Sequence, residues 1–198
     1  MYTPDHFKLQ DYSEIVSFAK KYSFATIVTV NDNFQTATHL PFILEEINNE
    51  LYLVSHFARA NDQWKELQTN KVLVIFSEPH AYISPKNYDS ELNVPTWNYL
   101  SVQMYGEAEI ITSEEGTTQV LKDMVLTYES SYLEQWNSLP EKFRHNLMKG
   151  IVAFRIKVTQ IQGKKKASQN RSESEKEKIA VTLKNSNNAI EQEMAKYI

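Results

Sequence analysis

The sequence predicts a mainly β protein, an antiparallel barrel or sandwich with helical additions. Three observations point there. About six or seven segments are short and rich in β-branched and aromatic residues. Turn signals separate most of them, and these rest on Asn, Asp and Pro because the chain has only 4 Gly among 198 residues. Helical periodicity occurs before, between and after the strands without alternating one for one with them, which argues against a doubly wound parallel sheet.

The elements follow in order. Asp11, with Glu14 three positions on, has the capping-box pattern. Ile15, Phe18, Ala19 and Tyr22 then recur at helical spacing, predicting a helix over 11–22. Phe24 to Val30 is a strand, Asn31, Asp32 and Asn33 a turn, and Phe34 to Leu44 the return strand. Asn48 and Asn49 turn the chain into a strand over Leu51 to His56, and Arg59 to Leu67 has helical character. Val72 to Phe76 and His80 to Ser84 are strands, and a polar loop over 85–94 leads to a long strand from Thr96 to Gly106 that continues or returns over Glu107 to Thr112. A second capping box, Thr112 to Glu115, opens a helix carrying Val120, Leu121, Met124, Val125 and Tyr128. Residues 130–149 read as loops and short helix around Trp136 and Phe143, and Ile151 to Val158 is the last strand. A third capping box, Ser172 to Glu175, starts a charged helix bearing Ile179, Val181 and Leu183.

A chain of this length buries about 70% of its unfolded surface, so it needs no disulfide or metal staple. The absence of Cys excludes disulfides, Cys-ligated zinc, iron–sulfur clusters and thiol nucleophiles. Mean hydropathy is −0.49, no apolar run approaches the ~20 residues of a membrane span, and Met1 to His6 lacks the pattern of a secretory leader. A cytoplasmic protein is expected.

Charge is uneven. Residues 1–162 carry 13 Lys and Arg against 20 Asp and Glu, a net of −7, and residues 163–198 carry 8 against 5, a net of +3. The expected organisation is therefore a β domain over 1–162 and a basic segment with a helical tail over 163–198. The segment Gly163 to Arg171 contains no acid. Such a stretch meets the phosphate of a cofactor, of DNA or of a membrane, or is a solvated linker.

Chemical motifs are sparse. There is no G-x-G-x-x-G and no Walker sequence, which excludes a Rossmann-bound dinucleotide. No metal motif occurs, and His39, His56 and His80 are far apart in sequence. The stretch Leu51 to Asn61 runs a buried strand into a helix start bearing His56, Arg59 and Asn61, where free amides and a guanidinium can hold an anion; the alternative is that Arg59 and Asn61 only cap that helix. Trp97, Asn98 and Tyr99 offer two rings and an amide that could flank and read a bound ring system, although strand aromatics more often belong to a core.

Taken together, several segments resemble the PaiB-type FMN-binding transcriptional regulators: Met1 to Phe7, Ala37 to Phe42, His56 to Trp64, Pro79 to Pro85, Val94 to Tyr99, Tyr105-Gly106, Gly150 to Val152 and Lys166 to Arg171. The chain departs from that pattern at Asp62, Glu78, Asn87, Gln103 and Ala167, where the family usually carries Pro, Gly, Trp, His and Leu. The resemblance implies an FMN-binding split β-barrel, usually a homodimer with flavin near the subunit interface. It implies a phosphate rim at His56, Arg59 and Asn61, a strand facing the flavin at His39, Leu40 and Pro41, and a pocket completed by Tyr82, Ser84, Trp97, Asn98 and Tyr99. Lys166, Ser168 and Gln169 would reach it from the tail. It also implies negative regulation of protease, degradative-enzyme and sporulation genes. The acidic main body gives direct DNA binding little electrostatic support, so regulation through a partner or through a sensed flavin is expected. The alternative is a flavin-dependent oxidoreductase or flavin reductase, which the same fold accommodates.

Overall fold

The computed structural model describes residues 1–68 and 71–198. These form two compact units. The larger comprises 18–75 and 104–161, and the smaller comprises 1–17, 76–103 and 162–198. The strands are β1 (Lys8–Leu9), β2 (Phe24–Asn31), β3 (Phe34–Pro41), β4 (Ile43–Ile47), β5 (Glu50–Ala58), β6 (Val72–Phe76), β7 (His80–Ile83), β8 (Thr96–Ile110) and β9 (Ile151–Lys166). They form one mainly antiparallel sheet with the path β3-β2-β6-β8-β9-β5-β4, β1 joining β9 and β7 joining β8. The helices are α1 (Tyr12–Lys21), α2 (Glu114–Tyr128), α3 (Tyr132–Ser138), α4 (Glu141–Lys149), α5 (Glu173–Lys184) and α6 (Ala189–Met194).

In the larger unit two hairpins set the register. β2 and β3 meet through Asp32 and Asn33, at φ of 47° and 64°, and β4 and β5 through Asn48 and Asn49, at 52° and 63°. Two-residue turns with both central residues left-handed match strand twist, and Asn and Asp tolerate that region best after Gly. The core gathers Ile27, Leu53, Phe57, Val74, Phe154 and Ile156, all fully buried. Phe57 stacks on Phe154 at 5.1 Å, and Phe42 meets Phe154 edge-on at 6.3 Å. At Gly106 a Cβ would lie 2.4 Å from both Ile156 Cγ2 and Lys157 O, so only Gly lets β8 approach β9 there.

In the smaller unit β7 pairs with β8 from His80↔Tyr99 to Ile83↔Thr96, and β1 pairs with β9 at Lys8↔Lys164 and Leu9↔Gly163. Ser172 and Glu175 complete the capping box of α5, whose Ile179 and Leu183 are buried along with Met194 of α6.

The structure differs from several local expectations. The return strand breaks at Phe42, whose N–H bonds Ser23 O, giving β3 and β4. The helix expected over 59–67 is a 3-10 helix, Asp62–Gln68, because Arg59 N still pairs with Gly150 O and prolongs the strand ladder. Ser113, not Thr112, caps α2 by accepting from Gly116 N. The segment 130–149 holds two helices, α3 and α4. The basic stretch Gly163–Lys166 is strand rather than linker, since the N-terminal β1 pairs with it.

Candidate functional site

The larger unit positions six of the candidate residues. His39 is exposed on β3 and stacks on Phe24 at 6.1 Å. Leu40 and Pro41 are half-buried, and Pro41 O accepts from Ser55 Oγ at 2.7 Å. His56 lies on β5 opposite Ala153, with Nδ1 buried and without a hydrogen-bond partner. Burial holds its imidazole below the usual histidine pKa, because the charged form loses solvation.

Arg59 and Asn61 hold the chain itself. Arg59 Nε donates to Lys149 O at 2.7 Å and Nη2 to Ile151 O at 2.8 Å, clamping the junction of α4 and β9. Arg59 also lines a cavity of about 180 Å³ with Ser113, Glu114, His145 and Lys149. Asn61 Nδ2 donates to Thr38 Oγ1 at 3.0 Å, and its Oδ1 accepts from Gln63 N at 3.1 Å, the cap of the 3-10 helix.

Gln63 was not singled out by its sequence context, yet it organises this corner. It is 2% exposed. Its Nε2 donates to Ile27 O, Thr29 Oγ1 and Thr36 O, and its Oε1 accepts from Thr38 Oγ1. These bonds bridge β2, β3 and the 3-10 helix. A polar residue two positions past Asn61 gives no sequence-level hint of that role.

The smaller unit separates the remaining candidates onto two faces of the β7–β8 ribbon. Tyr82 and Trp97 sit directly opposite each other, rings edge-on at 6.0 Å, and are 47% and 53% exposed. His80 lies beside Trp97 at 5.7 Å, and Lys164 Nζ stands 5.1 Å from the Tyr99 ring centroid. This is an exposed aromatic shelf. Ala81 and Asn98, one residue out of phase, are buried on the other side. Trp97 and Asn98 therefore do not share a face, unlike the single grouping that sequence spacing suggested.

Asn98 Nδ2 donates to Ser168 Oγ at 2.8 Å. Lys166 Nζ bonds Thr96 Oγ1 and lies 5.9 Å from the Phe7 ring. Asn98, Lys166 and Ser168 line a cavity of about 220 Å³ with Phe7, Tyr88 and Arg171. Ser84 caps the 3-10 helix Pro85–Asn87 by accepting from Lys86 N. Gln169 closes the turn after β9, accepting from Ala167 N and donating to Lys165 O. The departures at Asn87 and Ala167 are structural too: Ala167 is fully buried, and Asn87 Oδ1 accepts from Thr182 Oγ1 of α5 at 2.7 Å.

The basic segment is engaged internally. Lys164 is buried and donates to Tyr2 O, Lys165 pairs with Glu14 at 2.9 Å, and Arg171 bonds Asn93 Oδ1 and lies 3.9 Å from the Tyr88 ring centroid. Among the described residues no helix is long and apolar enough to cross a membrane.

Comparison with known proteins adds the following. The model of a family described as "Putative FMN-binding domain" matches residues 1–160. The protease synthase and sporulation protein PAI 2 of Bacillus subtilis (strain 168) is 39% identical over 198 residues, covering 98% of this chain and 95% of its own. The uncharacterized protein YKL070W of Saccharomyces cerevisiae is 29% identical over 139 residues, covering 58% of this chain and 82% of its own. Among solved structures, an FAD- and haem-binding protein from Mycobacterium smegmatis aligns with TM-score 0.64 at 14% identity, covering 88% of this chain and 79% of that one. The flavocytochrome Anf3 from Azotobacter vinelandii aligns with TM-score 0.60 at 16% identity, covering 82% and 74%. At those identities the structural likeness speaks for the fold, which agrees with the mainly antiparallel, split-barrel-like architecture expected from the sequence.

Proposed function

The chain belongs to this FMN-binding domain family, and on that premise we propose that it is an FMN-binding, PaiB-like regulator of protease and sporulation genes. The observation that carries the proposal is the 39% identity to a protein named for protease synthesis and sporulation, extending over 98% of the chain.

The donor set suits a flavin. FMN offers a flat tricycle and a phosphate, and bound flavin supplies a redox-active ring. In the smaller unit the Tyr82–Trp97 shelf presents half-exposed rings with a cation, Lys164, beside the neighbouring Tyr99. In the larger unit His56 Nδ1 is a buried polar atom with no partner among the described residues, and Arg59 is an exposed residue. We assign Tyr82, Trp97 and Tyr99 of the smaller unit to the flavin ring. A cytoplasmic homodimer completes the proposal, with the exposed aromatic shelf as the apolar surface that needs cover.

Regulation, on this reading, runs through bound flavin or a protein partner rather than through promoter contacts. Lys164 donates to Tyr2 O and Lys165 pairs with Glu14, while Lys166 and Arg171 line a cavity of the smaller unit rather than an open basic face. Phosphate neutralisation requires cations free to meet the backbone of DNA. Mobility-shift assays with promoter DNA at several salt concentrations test this. Weak, sequence-indifferent and salt-labile binding is expected, and tight selective binding by the isolated protein overturns it.

A further inference from the structure

The cavity of about 220 Å³ in the smaller unit has properties the flavin reading does not use. Phe7, Tyr88 and Pro95 wall it, and Asn98, Lys166 and Arg171 supply its polar groups. Two buried polar atoms here have no hydrogen-bond partner among the described residues: Asn98 Oδ1 and Tyr88 Oη. Their side chains are 0% and 7% exposed. Buried polar atoms are nearly always paired, and leaving one unpaired costs about 1–3 kcal/mol. Asn98 is held in place from its other pole by Ser168, so Oδ1 is a fixed acceptor.

The charge is equally one-sided. Lys166 and Arg171 line the cavity and no Asp or Glu does. Burial pushes the Lys166 ammonium below its ordinary pKa, with Tyr99 opposing and Lys164 adding to the shift. The carboxylate nearest Arg171, that of Glu175 at 4.0 Å, accepts from Asp89 N and Ser172 N. Asn98 also faces away from the Tyr82–Trp97 shelf, being one residue out of phase on β8.

We propose that this cavity is a second, separate binding site for a small organic anion that also carries a hydrogen-bond donor, of the 2-hydroxy- or 2-aminocarboxylate class. Lys166 and Arg171 take the carboxylate, and Asn98 Oδ1 and Tyr88 Oη take the hydroxyl or amine. For a regulator, such a site is where a metabolite of that class is sensed. It requires that Asn98, Lys166 and Ser168 lie outside the flavin pocket to which the resemblance assigns them.

Titration calorimetry on the full chain tests it, with lactate, malate, alanine and glutamate as probes and acetate as the anion lacking a donor. Saturable binding of at least one of the four is expected, with acetate weaker by about tenfold, the value of one well-placed hydrogen bond. Tyr88→Phe deletes only an unpartnered hydroxyl, so it folds normally and weakens the probe by several-fold. Lys166→Gln abolishes binding. Tyr88→Phe leaves FMN affinity within twofold. The proposal is overturned if none of the four binds, if acetate binds equally well, or if the variants bind like the parent. It is also overturned if FMN competes with the probe and loses about tenfold in affinity in Tyr88→Phe, because the cavity then belongs to the flavin.

Discussion

Asn98 on β8 donates to Ser168 across 70 positions of sequence, at 2.8 Å and out of contact with solvent. Ser168 holds this bond from a left-handed backbone, φ 61°. The pair fastens the turn after β9 to the β7–β8 ribbon and fixes the amide that faces the small cavity. Ser168→Ala leaves Asn98 Nδ2 unpaired and is expected to cost about 1–3 kcal/mol in urea unfolding. Ser168→Gly loses the same bond but relieves the left-handed strain, so it should be less damaging by about 1 kcal/mol. Equal stability of Ser168→Ala and the parent would show that the bond carries no weight.

Gln63 satisfies three acceptors on β2 and β3 with one amide nitrogen. Gln63→Leu removes the acceptor of the Thr38 hydroxyl and the donor to Ile27 O, Thr29 Oγ1 and Thr36 O. A loss of about 2–3 kcal/mol is expected, with faster amide exchange along β3. Hydrogen-exchange mass spectrometry resolves this, and unchanged protection of residues 34–41 would contradict it.

Trp97 is half exposed, so Trp97→Ala should move the unfolding midpoint little. Loss of its ring face should raise the FMN dissociation constant by about tenfold, the worth of a stacked aromatic contact. Tyr82→Ala should act in the same direction. FMN fluorescence quenching measures both, and unaltered affinity in both variants removes the shelf from the flavin site.

His56 makes stability depend on pH with a definite sign. Burial lowers its native pKa below the ordinary value of about 6.5. Between the two values the unfolded chain binds a proton that the native chain does not, so stability falls as pH falls through that window and the loss is complete below the native pKa. Urea midpoints from pH 8 to pH 5 should therefore decline more steeply for the parent than for His56→Leu. Identical slopes would show that the imidazole is protonated as readily in the fold as outside it.

Much of the fold could be read from the sequence because its signals are local. The strand from Phe24, expected to Val30 and running to Asn31, the turn at Asp32 and Asn33, the Asn48-Asn49 turn and the Ser172–Glu175 capping box are short-range patterns that stand at or within one residue of their expected places. What was not legible depends on distant partners. The basic stretch at 163–166 continues β9, and Lys8 and Leu9 pair with its Lys164 and Gly163. Arg59 reads as an anion ligand in sequence, and it reaches Lys149 and Ile151 carbonyls some ninety positions away. Trp97, Asn98 and Tyr99 read as one recognition patch, but strand alternation sends Asn98 to the buried side. Tyr88 and Arg171 acquire their significance only when the tail packs beside residues 88–98.

The central claim is that this chain binds FMN, and gel filtration of the purified protein mixed with FMN tests it most directly. Flavin absorbance should travel with the protein peak, its fluorescence quenched, and Trp97→Ala should release it into the small-molecule fraction. Flavin that elutes free of the parent protein, with undiminished fluorescence, would contradict the account.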